Sequence, residues 1–104
     1  MSDCKWIVVM GVEEYRKSLN EIFLKSGIVV FSEVQVKGFR FTQNQLANEN
    51  APLNIMDPVY SVISFALTKA EHAKAFLEEI DRFNKSNERA RPLHAFQVNV
   101  EAMV

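Results

Sequence analysis

The apolar residues of this chain follow two different spacings, and the switch between them marks out its elements. Residues 5–12, "KWIVVMGV", are rich in β-branched side chains and predict a strand. Residues 13–26 place Tyr15, Leu19, Ile22 and Phe23 at helical spacing, forming a single apolar stripe. Gly27 then stands where a helix-ending glycine belongs. From 28 to 37 the period falls to two. Val30, Ser32, Val34 and Val36 alternate with Phe31, Glu33, Gln35 and Lys37, so the later half of this second strand has one apolar and one polar face.

No regular pattern runs through 39–58, a long excursion for so short a chain. Pro58 precedes a third strand at 59–67, "VYSVISFAL". Thr68 and Glu71 have the spacing of a capping box, opening a helix with Ala73, Phe76, Leu77, Ile80 and Phe83 on one side. "NKSNERARP", 84–92, reads as a polar connector. Residues 93–101 form the last strand, with Phe96, Val98 and Val100 opposite Gln97, Asn99 and Glu101. The order βαββαβ, with right-handed crossovers, predicts an α+β ferredoxin-like sandwich. Four antiparallel strands would carry both helices on one face, with strands one and three in the middle.

Those two strands are apolar on both faces. Trp6, Val8 and Met10 oppose Ile7 and Val9, and Ile63, Phe65 and Leu67 oppose Tyr60 and Val62. Two helices cover one sheet face only, so the other is an exposed apolar patch and predicts an oligomer with sheet faces packed inward. A charge at Val9 or Val62 is expected to break that assembly, although alternation alone leaves open which set faces the helices.

Composition narrows the class. The chain has 104 residues, 48% hydrophobic and 24% charged, which fits one ordinary globular domain spanning 1–104. Twelve Lys and Arg against thirteen Asp and Glu give a net charge of −1, and no basic excess points to nucleic acid. No apolar run approaches the length of a membrane helix and no signal-peptide pattern opens the chain, so no membrane insertion is expected. The one cysteine, Cys4, has no internal disulfide partner, which fits a reducing cytoplasm.

The stretch "SGIVVFSEVQVKGFR" resembles the strand and loop entry of the nitrogen-regulatory P-II signalling proteins. Gly27-Ile28 and Lys37-Gly38-Phe39 match the family's pattern, the βαββαβ order covers nearly the whole chain, and 39–58 falls where that family has its T-loop. The ending "PLHAFQVNVEAMV" looks like that of a short bacterial P-II-like group. The resemblance implies a homotrimer with ligand clefts between subunits. It also implies a mobile loop contacting a partner protein (a transporter or an enzyme), with Phe41, Leu46, Leu53, Ile55 and Met56 as apolar anchors. The ligand it implies is an adenine nucleotide or another small anionic effector, near Lys37, Gly38, Phe39, Arg40, Arg89 and Arg91.

Departures from the family pattern limit what carries over. The second glycine of the Lys-Gly-Phe-Gly turn is Arg40, and the glutamine linked to oxoacid binding falls at Thr42. The phosphate-cradling Gly-rich run is replaced by 84–92, which has no glycine but keeps Lys85, Arg89 and Arg91. An altered nucleotide site with weak or absent ATP binding is therefore expected. Between Phe39 and Pro58 there is neither tyrosine nor serine, so T-loop modification of those types is not expected, and Tyr60 reads as packing.

No catalytic motif emerges, and an enzyme is not expected. His72 reads as a residue on an exposed helical turn, His94 as a strand-end residue, and Cys4 as an isolated thiol; no metal set is assigned. Two alternatives share the architecture: a small ferredoxin-like monooxygenase and a divalent-metal-tolerance trimer. Fold by itself does not choose among the three.

Overall fold

The structure, a computed structural model, describes residues 3–39, 58–86 and 91–104. Four strands form one antiparallel sheet: β1 (Cys4–Val12), β2 (Ser32–Gly38), β3 (Val59–Lys69) and β4 (His94–Asn99). Their spatial order is β2-β3-β1-β4, so the two strands with apolar residues on both faces occupy the centre. The helices are α1 (Arg16–Lys25), entered through a 3-10 turn at Glu13–Tyr15, and α2 (Ala70–Ser86). This is the expected α+β ferredoxin-like sandwich.

Register settles which face is which. In an antiparallel ladder, directly opposed residues share a face. Val9 pairs with Ser64 and Ala95, Ile7 with Ala66, and Gly11 with Val62, all on the side of the helices. Leu19, Ile22 and Phe23 of α1 and Ala73, Phe76 and Ile80 of α2 close over them as one core. The opposite side presents Trp6, Val8, Met10, Ile63, Phe65, Leu67, Phe96 and Val98. Trp6, Leu67, Phe96 and Val98 are all exposed there, with 51% of Leu67 open to solvent. Val9 and Val62 are fully buried beneath the helices. The expectation that charges at these two positions would break an assembly is therefore corrected: they would strike the core instead.

Element boundaries differ from the pattern in several places: β4 covers only His94–Asn99 of the expected 93–101, α1 proper starts at Arg16, and three further differences have a visible cause. The second strand begins at Ser32, not at 28. Ile28 donates its N–H to the Phe23 carbonyl at 2.9 Å and is buried, while Phe31 stacks on Phe23 at 4.2 Å. Those apolar residues serve the core through the turn after α1, not through a ladder. Thr68 lies within β3, opposite Lys5, so the expected capping box is a strand end; the Ala70 N–H donates instead to the Asp3 carbonyl at 2.8 Å. Helix α2 continues through Ser86, absorbing the start of the predicted connector. Gly27 does end α1 as expected. Its φ of +86° is a left-handed conformation that only glycine adopts freely.

Candidate functional site

One end of the sheet gathers the termini of several strands. Gly38 at the end of β2 pairs with Val59 at the start of β3, Val12 pairs with Ser61, and Met10 pairs with His94 at the start of β4. On the open side of this end lies a concavity of about 560 Å³ lined in part by Met10, Gly38, Phe39, Ile63, Arg91 and His94. The structure thus brings together Gly38, Phe39 and Arg91 from among the expected ligand residues. Lys37 points the other way, its Nζ 5.9 Å from the centroid of the Tyr60 ring. Arg40 and Arg89 lie outside the described residues, as do Phe41, Leu46, Leu53, Ile55 and Met56 of the expected recognition loop.

Arg91 owes its place to its neighbour Leu93. The Leu93 side chain is buried against Gly11, where a β-carbon would collide with Leu93 Cδ2. The Leu93 backbone is held by Asn84 near the end of α2: its N–H donates to Asn84 Oδ1 at 2.8 Å and its carbonyl accepts from Asn84 Nδ2 at 2.9 Å. Sequence reasoning missed both devices. A glycine inside an apolar strand signals close approach by another group and was the available clue for Gly11. Asn84 carries no such signal within a polar run.

On the helix side of Arg91, a second concavity of about 620 Å³ is lined by Glu13, Glu14, Tyr15, Tyr60 and Arg91, with Val12 and Val59. Glu13 Oε1 accepts a long hydrogen bond from Gln35 Nε2 at 3.5 Å. Among the described residues neither Glu14 nor Arg91 has a hydrogen bond or ion pair. Tyr60 is largely exposed at 56%, which corrects its reading as a packing residue. An Arg16–Glu33 ion pair at 2.8 Å ties the start of α1 to β2 nearby.

Gly38 has a different character from Gly11 and Gly27. Its φ is not positive, and a β-carbon there would meet only the Val59 carbonyl at an ordinary 3.7 Å. No conformational or packing demand among the described residues calls for glycine at this position. What glycine does provide is a bare backbone that an outside group can approach closely.

The remaining candidates are placed as follows. His94 begins β4 and is exposed, as expected. His72 is half-buried, with Nε2 3.2 Å from where a Gly27 β-carbon would sit, so it packs on the turn after α1 and does not stand on an exposed face. Cys4 Sγ lies 3.9 Å from Met103 Sδ. Among the described residues no three His, Cys, Asp or Glu side chains converge in a metal-binding group, and no helix is long and apolar enough to cross a membrane.

Neither a family model nor a curated protein sequence matches the chain. Solved structures do. The chain is similar to GlnK of B. subtilis, solved as an ATP complex, with TM-score 0.66 and 10% identity, covering 97% of this chain and 86% of that one. It is similar to CPII of Thiomonas intermedia K12, a nitrogen regulatory PII-like protein bound to ADP, AMP and bicarbonate, with TM-score 0.61 and 11% identity over 97% and 96% of the two chains. CutA of Synechococcus elongatus, complexed with Bis-Tris, matches with TM-score 0.59 and 11% identity over 96% and 82%. The chain therefore has the fold of P-II and P-II-like proteins, a fold that CutA shares.

Proposed function

We propose that this protein is a P-II-like regulatory protein, not an enzyme, acting in the cytoplasm as a homotrimer. Its open sheet faces pack inward. A small anionic effector binds at the sheet end marked by Gly38, Phe39 and Arg91, in a cleft completed by a neighbouring subunit. The 39–58 excursion contacts a partner protein. The observation that carries this reading is the concavity that joins the end of β2 to the connector before β4, with a guanidinium on its rim that has no partner among the described residues and a bare glycine backbone in its wall. Arginine holds carboxylates and phosphates through paired N–H donors, and a glycine without a conformational task suits close approach by a ligand. The altered Gly-rich run supports an effector other than ATP.

Calorimetry with AMP, ADP, ATP, 2-oxoglutarate, citrate and bicarbonate tests the site, with divalent cations added because CutA shares the fold. At least one anion should bind the wild type and lose binding in Arg91→Gln. A protein that binds divalent cations and none of these anions would support the metal-tolerance reading instead.

A further inference from the structure

Arg91 does not stand in a uniformly positive surround. Its helix-side concavity places two carboxylates, Glu13 and Glu14, around the same space, with the Tyr15 and Tyr60 rings as walls. Glu14 and Arg91 carry opposite charges and neither has a protein partner among the described residues. Among the described residues that line the space, two are negative, Glu13 and Glu14, and one is positive, Arg91; the Lys37 ammonium stands over the Tyr60 ring beside it. A site built for a polyanion concentrates one sign of charge, because like charges nearby raise the cost of holding it. This one does the opposite.

We propose that the helix-side concavity at Arg91 takes a small zwitterion, an amino acid or a compound with the same pair of groups, beside the anion site on the open side. Its carboxylate meets the Arg91 guanidinium and its ammonium meets the Glu13 and Glu14 carboxylates. Both pairings are charge-assisted, and the aromatic walls favour an ammonium over a second anion. The concavity of about 620 Å³ leaves ample room for a molecule of this size. Glu13 and Glu14 are then the residues that set specificity, turning away phosphate-rich anions that Arg91 alone would accept. Each sits in the 3-10 turn that leads into α1, so an occupied site would draw the α1 entrance toward the connector before β4.

This inference rests on the reading that Arg91 holds an anionic group, and the experiment separates the two. Glycine, β-alanine and 4-aminobutyrate are titrated calorimetrically into the full-length protein, alongside acetate, propionate and butyrate as carboxylates lacking the amine. At least one amino acid should bind about tenfold or more tighter than its matched carboxylate, the size of effect expected from one added charge pair. In the Glu13→Gln, Glu14→Gln double variant that preference should fall to about twofold or less, while ATP binding should strengthen as the carboxylates are neutralised. Arg91→Gln should lose amino acid and carboxylate alike. Equal affinity for each amino acid and its matched carboxylate in the wild type overturns the zwitterion. So does a preference that survives the double variant. Binding that survives Arg91→Gln overturns the reading of the site itself. Near-neutral circular dichroism confirms that each variant is folded before its binding is scored.

Discussion

The carboxamide of Asn84 grips the backbone of Leu93 from both ends, accepting from its N–H at 2.8 Å and donating to its carbonyl at 2.9 Å. A helix end is thereby tied to the segment that carries Arg91, and both backbone groups of a buried residue are satisfied without a ladder partner. Asn84→Ala should cost about 1–3 kcal/mol, because it leaves a donor and an acceptor unpaired in a part-buried place. Urea denaturation checks the loss. Anion binding through Arg91 should weaken at the same time, since the connector loses its anchor.

Two glycines at the same sheet end should respond in opposite ways. Gly11→Ala forces a methyl into Leu93 Cδ2 and should destabilise by about 1–3 kcal/mol as the buried leucine is displaced. Gly38→Ala meets only an ordinary contact and should leave the thermal midpoint nearly unchanged while weakening the effector. A large stability loss at Gly38 with intact binding would contradict the role given to its bare backbone.

The centre of the sheet was legible in the sequence because β1 and β3 alone are apolar on both faces. The orientation of that sheet was not, since both alternating sets of residues looked equally suited to a core. The distinguishing signal was size. Gly11, Ser64, Ala66 and Ala95 are small and lie on the helix side, where helices must come close, whereas Trp6, Phe65 and Phe96 are large and lie on the open side. The turn residues 28–31 mimicked a strand because their unbroken run of β-branched and aromatic side chains has strand composition, although only Ile28 and Phe31 turn back onto the helix core, Phe31 onto Phe23. At the candidate site, Gly38, Phe39 and Arg91 were legible from the motif and from charge. Asn84, Glu13 and Glu14 were not, because their importance comes from neighbours far away in sequence.

Ser64 is fully buried on the helix side of β3, and its hydroxyl has no hydrogen-bond partner among the described residues. A buried hydroxyl without a partner costs folding energy that a methyl does not. Ser64→Ala should therefore raise stability by about 1 kcal/mol, read as an upward shift of several degrees in the thermal midpoint.

Glu79 links the helices. The Arg82 guanidinium holds its carboxyl below the ordinary value, desolvation works in the other direction, and the Lys25 ammonium of α1 at 3.3 Å adds to the lowering. A depressed carboxylate pKa contributes stability that is present above the unfolded value and is lost as pH falls through the folded one. Denaturation midpoints of wild type and Glu79→Gln should therefore differ most near neutral pH and converge below about pH 4. High salt should shrink the difference, as it does for ion pairs near the surface.

In the proposed trimer the open sheet face joins copies of this chain and so completes the effector clefts. Phe65 lies on that face, opposite Val8 on one side and Ser32 on the other, with its ring edge-on to Trp6 at 6.1 Å. A lysine there puts an unpaired charge into the contact without touching the core beneath the helices. Light scattering should give the wild type a mass three times the 11.9 kDa chain, and Phe65→Lys a single chain mass with native circular dichroism. A wild type that stays monomeric at micromolar concentration would contradict the inward-packed trimer.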